Sequence, residues 1–316
     1  MKLYFYGLIM LIKKFIFKIS TGKCVFDFVK KMGVVYIKFA QMLAMQSHET
    51  LFTEDDRKDL ANICDQCNPL PFKKVRKIIE KEYGIPLEEK FLAVFEKPIG
   101  SASISQVHKG LLNNGGEVAI KIKRPNVDKR IEKDIKRIKR LIHLFGKFFK
   151  LNNLIGSDEA LDLYLSWIRE EVNFKSEKAN ILKYQEFADT MNALELTNKK
   201  LTLPALYEEL CTDRIIVMEF IKGKTVNRMA DTLENKKRIN TSINDYIYVS
   251  FYALLHQMPL IFHGDLHMGN LYLDEDDNLG FLDMGLIFTL NESEEKFVLE
   301  LFLYEVIAMS TSLMCL

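Results

Sequence analysis

The feature that most constrains the fold of this chain is an ordered pair of acidic motifs in its second half. The first motif is HGDLHMGN, in which Asp265 precedes Asn270 by five positions, and the second is the D-x-G turn that Asp283 opens. Carboxylate and amide oxygens are the ligands that magnesium prefers. The spacing predicts that Asp283 and Asn270 each hold a magnesium ion and that Asp265 accepts a proton or orients an acceptor. We expect His263 to support this loop by hydrogen bonding.

A lysine near the end of a short apolar run supplies the cation that phosphate groups need. Residues 118–121 read V-A-I-K, the pattern that places a phosphate-binding lysine, here Lys121, on a strand. Such a lysine is held by a glutamate on a helix, and Glu177 is our first choice, with Glu170 and Glu171 as reserves. Taken in order, these motifs predict magnesium-dependent phosphoryl transfer from ATP.

The composition fits a folded enzyme and argues against a nucleic-acid-binding protein and against an oxidised secreted scaffold. A chain of 316 residues with 48% hydrophobic content can bury a large core. Its 44 basic residues nearly cancel 43 acidic ones, so we expect no nucleic-acid partner. Five cysteines, an odd number, argue against an oxidised secreted scaffold. Cys64 and Cys67 form a C-x-x-C without a second ligand pair, and we interpret them as ordinary thiols rather than a zinc site.

An apolar run at residues 3–12 precedes Lys13 and Lys14. This run is too short to span a bilayer, and no small-residue cleavage site follows it. Aromatic residues beside lysines suit a helix on a membrane surface, although a helix buried against the protein fits equally well. We therefore expect a protein on the cytoplasmic or organelle-matrix side, peripherally associated with a membrane.

Hydrophobic periodicity in the first half predicts helices followed by a hairpin. Residues 22–95 have mainly helical spacing. A small-residue turn at 98–103 leads into two strands, 104–112 and 118–122, which flank an N-N-G-G turn. A helix with one strongly basic face follows Pro125. We interpret that face as solvated, with anionic lipid as the alternative.

The second half alternates in the same way. A single helix is predicted over residues 157–190, followed by strands at 201–208 and 214–220. The second strand leads into a short glycine-containing connector, where the hinge of a kinase lies, so we expect Glu219 to lie at the nucleotide. The chain is then mainly helical up to the HGD motif, apart from a hairpin at 271–281.

Four segments together resemble the UbiB-like atypical kinases, a family associated with ubiquinone and other isoprenoid-quinone biosynthesis in bacteria, mitochondria and plastids. The segments are YIKFAQMLAMQ (36–46), KPIGSASISQVHKG (97–110) with VAIKIKRPNV (118–127), REEVNFKSEKAN (169–180), and HGDLHMGN with FLDMG. The resemblance implies an α+β, two-lobed protein-kinase-like fold. It divides the chain into an N-terminal helical extension (1–95), an N-lobe with inserted helices (96–223) and a reduced, mainly helical C-lobe (224–316).

The resemblance also assigns residues that the spacing alone does not. The family's K-x-G-Q motif, which packs over the nucleotide, corresponds to Lys38, Phe39, Ala40 and Gln41. Its alanine-rich phosphate loop corresponds to Gly100, Ser101, Ala102 and Ser103, whose N–H groups and hydroxyls can meet phosphate oxygens. The family implies that Glu171 pairs with Lys38 while Glu177 pairs with Lys121. Two departures stand out: alanine replaces the K-x-G-Q glycine, and Asn173 replaces the aspartate of the family's E-x-D.

These features predict an ATP- and magnesium-dependent kinase or ATPase that supports quinone biosynthesis at membranes. The implied partners are the nucleotide, membrane lipid or a quinone precursor, and quinone-biosynthesis proteins. One alternative is an ATP-binding scaffold of a lipid-biosynthetic complex. Another is a small-molecule phosphotransferase of the aminoglycoside or choline kinase type, which HGDLHMGN also resembles. The KFAQ helix and the GSAS loop favour the UbiB-like family.

Overall fold

The computed structural model of the protein describes residues 68–145, 158–256, 258–291 and 293–299, together with Tyr6, residues 27–29, Met32, residues 35–39 and residues 54–55. Apart from Tyr6, the apolar run at residues 3–12 lies outside the described residues, as do the C-x-x-C and Gln41. Within the described ranges we find no helix that combines the length and the apolar composition of a membrane span.

The chain divides into two compact units. The first contains residues 1–174 and 208–217, and the second contains residues 175–207 and 218–316. The domain boundaries expected at residues 95 and 223 stay predictions.

The first unit contains an antiparallel sheet built on the predicted hairpin. Its strands are β1 (Ala93–Ser101), β2 (Ser105–Leu111) and β3 (Glu117–Lys123), and a later strand, β5 (Ile215–Glu219), lies beside β3. Gly115 adopts a φ of +86° in the turn between β2 and β3, a conformation that favours glycine. The hairpin predicted around the N-N-G-G turn is confirmed.

The turn predicted at residues 98–103 is only partly correct, because β1 continues through Pro98 to Ser101. A proline is tolerated there for two reasons. β1 is an edge strand of its sheet, and its register with β2 shifts on both sides of Pro98. The irregular connection is therefore confined to residues 102–104.

The helices of the first unit are α1 (Phe72–Tyr83), α2 (Leu87–Lys90), α3 (Val127–Phe145) and α4 (Asp158–Glu170). Helical residues 27–29 and 35–39 pack with α3 and α4 in one core. The buried side chains of that core are Val29, Val35, Tyr36, Ile104, Val127, Ile131, Ile135, Ile138, Ile142, Leu161, Leu165, Ile168 and Val172. Part of the KFAQ segment is thereby fixed to the two helices that follow the sheet.

The second unit combines helices with short strands. Its described helices include α5 (Phe174–Ala193, with Phe174 itself in the first unit) and α6 (Leu233–Leu255), and residues 293–299 are also helical. One sheet has the order β4 (Leu201–Thr202), β9 (Leu279–Phe281), β8 (Leu271–Leu273), β6 (Lys224–Thr225), and β7 (Ile261–His263) pairs with β10 (Ile287–Thr289). The hairpin predicted at residues 271–281 is confirmed by β8 and β9.

Two predictions for the second half are wrong in part. The single helix over 157–190 is two helices, because a turn at residues 171–173 separates α4 from α5 and the N–H of Asn173 donates to the Glu170 carbonyl at 2.8 Å. A short polar side chain such as that of asparagine favours such turns. The strand over 201–208 is only two residues long, since Pro204 has no N–H to continue it. These two residues pair in parallel with β9, while Leu206, later in the predicted range, forms an isolated antiparallel bridge with Met218 of β5.

An aromatic cluster forms the centre of the second unit. The ring of Phe281, which is fully buried, lies with its centroid 5.1 Å from that of Tyr184 and 5.4 Å from that of Tyr246. The imidazole of His263 stacks on Phe281 at 5.6 Å. The packing of α5 and α6 on β9 therefore fixes the histidine that opens the HGD motif.

Candidate active site

His263 connects the two acidic motifs through their main chains. Its Nδ1 accepts a hydrogen bond from the N–H of Asp265 at 3.1 Å, and its Nε2 lies 2.5 Å from the carbonyl oxygen of Asp283. Because Nδ1 accepts, the ring hydrogen must be on Nε2, which donates to Asp283. Burial lowers the pKa of His263, which favours this neutral form. The supporting role expected for His263 is confirmed.

Asn270 joins the same arrangement. Its side-chain nitrogen Nδ2 donates to the main-chain carbonyl of Asp265 at 3.0 Å. The main-chain carbonyl of Asn270 accepts from the N–H of Leu282 at 2.9 Å. The Oδ1 of Asp283 accepts from the N–H of Gly285 at 3.0 Å, which closes the D-x-G turn. The structure thus brings Asp265, Asn270 and Asp283 together within one unit.

The donor atoms of these turns fit magnesium. Asp283 supplies a carboxylate and Asn270 an amide oxygen, both hard ligands. Across the described ranges, no group of three or more His, Cys, Asp and Glu side chains is arranged to hold a metal ion. Magnesium usually has one or two protein ligands, and phosphate oxygens and water complete its coordination. The pair therefore suits magnesium that binds together with a nucleotide.

The glycine of the HGD motif has a steric cause. A Cβ placed on Gly264 would lie 2.6 Å from Cγ of Leu286 and 2.6 Å from Cε2 of Phe288. Its N–H also donates to the Leu286 carbonyl at 2.8 Å, so the main chain cannot easily move away. A larger residue at this position, such as the arginine of an HRD motif, would clash with the residues that begin β10.

A residue that the sequence analysis did not single out holds the D-x-G turn. The amide nitrogen of Asn180 donates to the carbonyl of Met284 at 2.8 Å. Glu177 is buried one turn earlier on α5, and residues three apart on a helix share a face. The Glu177 carboxylate therefore lies on the face of α5 that contacts the turn. The pairing of Glu177 with Lys121 stays a prediction.

In the first unit, Lys121 lies on β3 and is buried. Its Nζ lies 5.6 Å from the ring centroid of Phe174, and the Nζ of Lys123 lies at the same distance from that ring. Lys123 is also paired with Asp128 at 2.5 Å. One aromatic ring thus lies beside two buried ammonium groups, and Phe174 is a second residue that the sequence analysis missed.

The loop assigned to phosphate lies between β1 and β2. Ser101 ends β1, and the N–H of Ala102 donates to the carbonyl of Ser105 at 2.9 Å. Gly100 does not need to be glycine for backbone reasons, since its φ is ordinary and a Cβ would lie 4.0 Å from Val107. Ser103 is half-buried. Contact of these residues with phosphate stays a prediction.

The ion pair that the family resemblance implies for the KFAQ segment is present. Nζ of Lys38 lies 2.7 Å from Oε2 of Glu171, and both side chains are largely buried. The Tyr164 hydroxyl donates to the Lys38 carbonyl at 2.6 Å, which ties this segment to α4. The proposed role of Lys38 and Glu171 at a nucleotide is not tested by this geometry.

Glu219 ends β5, and its side chain is exposed. Its N–H donates to the carbonyl of Ala205 at 2.8 Å. The chain passes from the first unit to the second between Val217 and Met218, and the connector that contains Gly223 follows. The local structure matches the strand and connector predicted there, while the role of Glu219 in nucleotide binding stays a prediction.

Two buried polar side chains of β2, Gln106 and His108, hydrogen-bond to each other and to the main chain. The Nδ1 of His108 donates to the Phe95 carbonyl at 2.8 Å, and its Nε2 accepts from Nε2 of Gln106 at 2.8 Å. Oε1 of Gln106 accepts from the N–H of Leu70 at 2.7 Å, which determines the orientation of the amide. Burial lowers the pKa of His108.

Comparison with known proteins places these features in a family. A model of the ABC1 atypical kinase-like domain matches residues 62–313. A probable protein kinase UbiB of Shewanella piezotolerans is 31% identical over 279 residues, which cover 87% of this chain and 49% of that protein. An uncharacterized chloroplastic aarF domain-containing protein kinase of Arabidopsis thaliana is 32% identical over 262 residues, or 82% of this chain and 46% of that protein. The chain spans about half the length of the curated relatives it matches.

A solved structure supports the fold alone. Rv3197 of Mycobacterium tuberculosis, in complex with erythromycin, matches with a TM-score of 0.54 and 24% identity, covering 90% of this chain and 64% of that one. Together with the family match, this likeness confirms the α+β kinase-like fold predicted from the sequence.

Proposed function

The chain belongs to the ABC1 atypical kinase-like family, and on that premise we propose that it binds ATP with magnesium and cleaves the γ-phosphate. The observation that carries this proposal is the pair of hydrogen bonds of the His263 ring, which accepts from the N–H of Asp265 and donates to the carbonyl of Asp283. One buried side chain holds the candidate base and the candidate metal ligand in a fixed relation. Such prior positioning is what phosphoryl transfer requires of a protein.

Each residue of the site has a defined task under this proposal. Asp265 accepts the proton of an attacking hydroxyl or water, whose oxygen bonds to the γ-phosphorus as the bond to the bridging oxygen breaks and ADP leaves. Asp283 and Asn270 would hold magnesium, which would supply positive charge to offset the charge that develops on the phosphate oxygens. Lys121 binds phosphate oxygens, and Glu177 orients Lys121.

The remaining site residues bind the nucleotide or organise the first unit around it. Gly100, Ser101, Ala102 and Ser103 contact the phosphates, Glu219 lies at the hinge, and Lys38, Gln41 and Glu171 cover the site. The burial of Lys121 supports the assignment of phosphate binding to the first unit. A desolvated ammonium group attracts a phosphate more strongly than an exposed one does. The ion pair of Lys38 with Glu171 supports it further, since it fixes the segment that precedes Gln41.

The biological setting is also a proposal. Relatives named probable protein kinase UbiB favour a role in isoprenoid-quinone biosynthesis. Membrane lipid, a quinone precursor and quinone-biosynthesis proteins are the partners that such a role implies. The corresponding location is the cytoplasmic or organelle-matrix side of a membrane, in peripheral contact with it.

The deciding experiment is magnesium-dependent ATP turnover by the purified chain. Turnover is measured with and without liposomes and a phenolic quinone precursor, and the products are examined for inorganic phosphate and for phosphorylated acceptor. Asp283→Asn should abolish turnover because it removes a carboxylate ligand of magnesium. Asp276→Asn, an exposed aspartate in the turn between β8 and β9, is the matched control and should retain turnover.

The outcomes separate the candidate functions. Turnover in Asp283→Asn at the wild-type rate would contradict the metal assignment. ATP binding without turnover under any condition would favour an ATP-binding scaffold of a lipid-biosynthetic complex. Phosphorylation of a soluble hydroxyl compound, independent of liposomes, would favour a small-molecule phosphotransferase. A protein that binds no ATP would contradict the proposal as a whole.

A further inference from the structure

We propose that Arg124 is a positioning residue that sets the conformation of the phosphate loop between β1 and β2. This inference rests on the proposed function, because that function assigns the loop to the phosphates of ATP. Arg124 directly follows β3, the strand that carries Lys121. It lies in the segment VAIKIKRPNV, where the family resemblance assigns it no role.

The guanidinium group of Arg124 donates hydrogen bonds to the loop and to Asn68 within the first unit. Its Nε donates to the carbonyl of Ala102 at 2.8 Å, and its Nη2 donates to Oγ of Ser101 at 2.8 Å. The same Nη2 donates to the carbonyl of Asn68 at 3.0 Å. In addition, the N–H of Arg124 donates to the carbonyl of Ile104 at 2.9 Å. A single residue therefore contacts both ends of the loop.

These bonds determine which donors the loop directs away from Arg124. In a trans peptide the C=O and the following N–H point in opposite directions. Because the Ala102 carbonyl points toward Arg124, the N–H of Ser103 must point away from it. The Ser101 oxygen accepts from Arg124, so its hydroxyl hydrogen is also directed elsewhere. The geometry thus leaves two particular donors, the Ser103 N–H and the Ser101 hydroxyl, to meet phosphate oxygens.

The main chain of Arg124 is itself held in place. Pro125 follows it and restricts the preceding residue to extended conformations. The preceding residue is also held, because the N–H of Lys123 donates to the carbonyl of Arg214 at 2.9 Å. A planar guanidinium can make several bonds in fixed directions, whereas a lysine ammonium acts as a point charge. Arg124→Lys therefore keeps the positive charge and removes the planar set of hydrogen-bond donors.

The test compares the affinity of the purified full chain for MgATP with its affinity for adenosine. Loss of a charge-assisted hydrogen bond network should weaken MgATP binding about tenfold in Arg124→Lys. Adenosine has no phosphate, and its affinity should stay within about twofold of wild type. Arg76→Lys is the matched control, since Arg76 is also bonded to two partners, Glu80 and Glu88, but lies outside the loop. Both affinities should be unchanged in that variant.

A second measurement tests the loop without any nucleotide. The N–H of Ala102 closes the loop onto Ser105, and its hydrogen exchange should be faster in Arg124→Lys than in the wild-type protein. If Arg124→Lys is unfolded at the assay temperature, Arg124→Gln replaces it under the same criteria, because its amide keeps two donors on a planar group.

The outcomes distinguish this inference from the proposed function. Unchanged MgATP affinity, equal losses for MgATP and adenosine, or unchanged exchange at Ala102 would each overturn the role of Arg124. A wild-type protein that binds adenosine and MgATP with equal affinity would also overturn it, because the loop would then make no phosphate contact. A wild-type protein that binds no MgATP would instead contradict the proposed function itself.

Discussion

His263 donates its Nε2 hydrogen to the main-chain oxygen of Asp283, so a buried neutral histidine holds the turn that presents the candidate metal ligand. The same ring accepts from the N–H of Asp265 and stacks on Phe281. The aromatic core of the second unit is therefore continuous with the site. Under the proposed function, this arrangement makes His263 a positioning residue, although it is assigned no chemical step.

His263→Ala removes both of these hydrogen bonds. We expect the ATP turnover number to fall by about 100-fold or more, because a displacement near 1 Å at a reacting centre has an effect of that size. Steady-state turnover at saturating MgATP measures it. His256→Ala, at the exposed end of α6, is the control and should stay within about twofold of wild type. Turnover near the wild-type rate in His263→Ala would contradict the positioning role.

Gly264→Ala tests the steric explanation of the HGD motif. Its new methyl group would lie 2.6 Å from side-chain atoms of Leu286 and Phe288, and we expect the free energy of unfolding to fall by about 1–3 kcal/mol. Chemical denaturation measures this change. Gly100→Ala is the matched control, because its methyl group would meet only ordinary contacts at 4.0 Å. Equal stabilities of the two variants would contradict the explanation.

Phe174→Leu tests the aromatic ring beside the two lysines. Leucine keeps most of the buried apolar surface but loses the cation–π contacts with Lys121 and Lys123. A double-mutant cycle of Phe174→Leu with Lys123→Met should give a coupling energy of about 0.5–2 kcal/mol in unfolding experiments. Additive effects of the two substitutions would show that the ring serves only as packing.

Acid should destabilise the protein through His108. Its folded pKa is lowered by burial, so the unfolded chain takes up a proton first as the pH falls below about 6.5. Stability is therefore complete above that pH and is lost as the pH falls toward the folded pKa, by up to about 1.4 kcal/mol per pH unit. Protonation would also place a hydrogen on Nε2, opposite the amide nitrogen of Gln106.

His108→Asn is the variant that measures this contribution, because asparagine does not titrate in this range. The free energy of unfolding is measured by urea denaturation at pH values from about 8 to about 5. Its decrease over this range should be smaller in the variant than in the wild type. Burial also lowers the pKa of His263, so part of the pH dependence should remain in the variant. An identical loss in both proteins would contradict the assignment to His108.

The sequence was sufficient to predict the parts of the fold that depend on local pattern. The β2–β3 hairpin follows from an N-N-G-G turn between two apolar runs, and α3 follows from its helical period. The ion pair of Lys38 with Glu171 was implied by the family resemblance and is present in the structure. The hairpin and the helix depend on residue type and spacing, which a sequence displays directly.

The supporting residues of the site could not be predicted in the same way. Asn180 and Arg124 act by donating to main-chain carbonyls, and every residue has such a carbonyl. Which carbonyl a side chain meets depends on tertiary packing, so no pattern of residue types reveals the contact. Phe174 was missed for a related reason, since an aromatic residue at a helix start is more often part of a core.

The irregular edge strand β1 has a consequence for the solution behaviour of the protein. This strand exposes Phe95 and Ile99 and lies at the edge of its sheet among the described strands. An edge with such side chains invites strand addition by a second molecule. Pro98 lies between them, has no N–H to donate, and is flanked by two shifts of register. A second chain cannot form a continuous ladder along such an edge. Pro98 therefore has two effects: it interrupts the residue pattern that would identify the strand in the sequence, and it opposes self-association of the sheet.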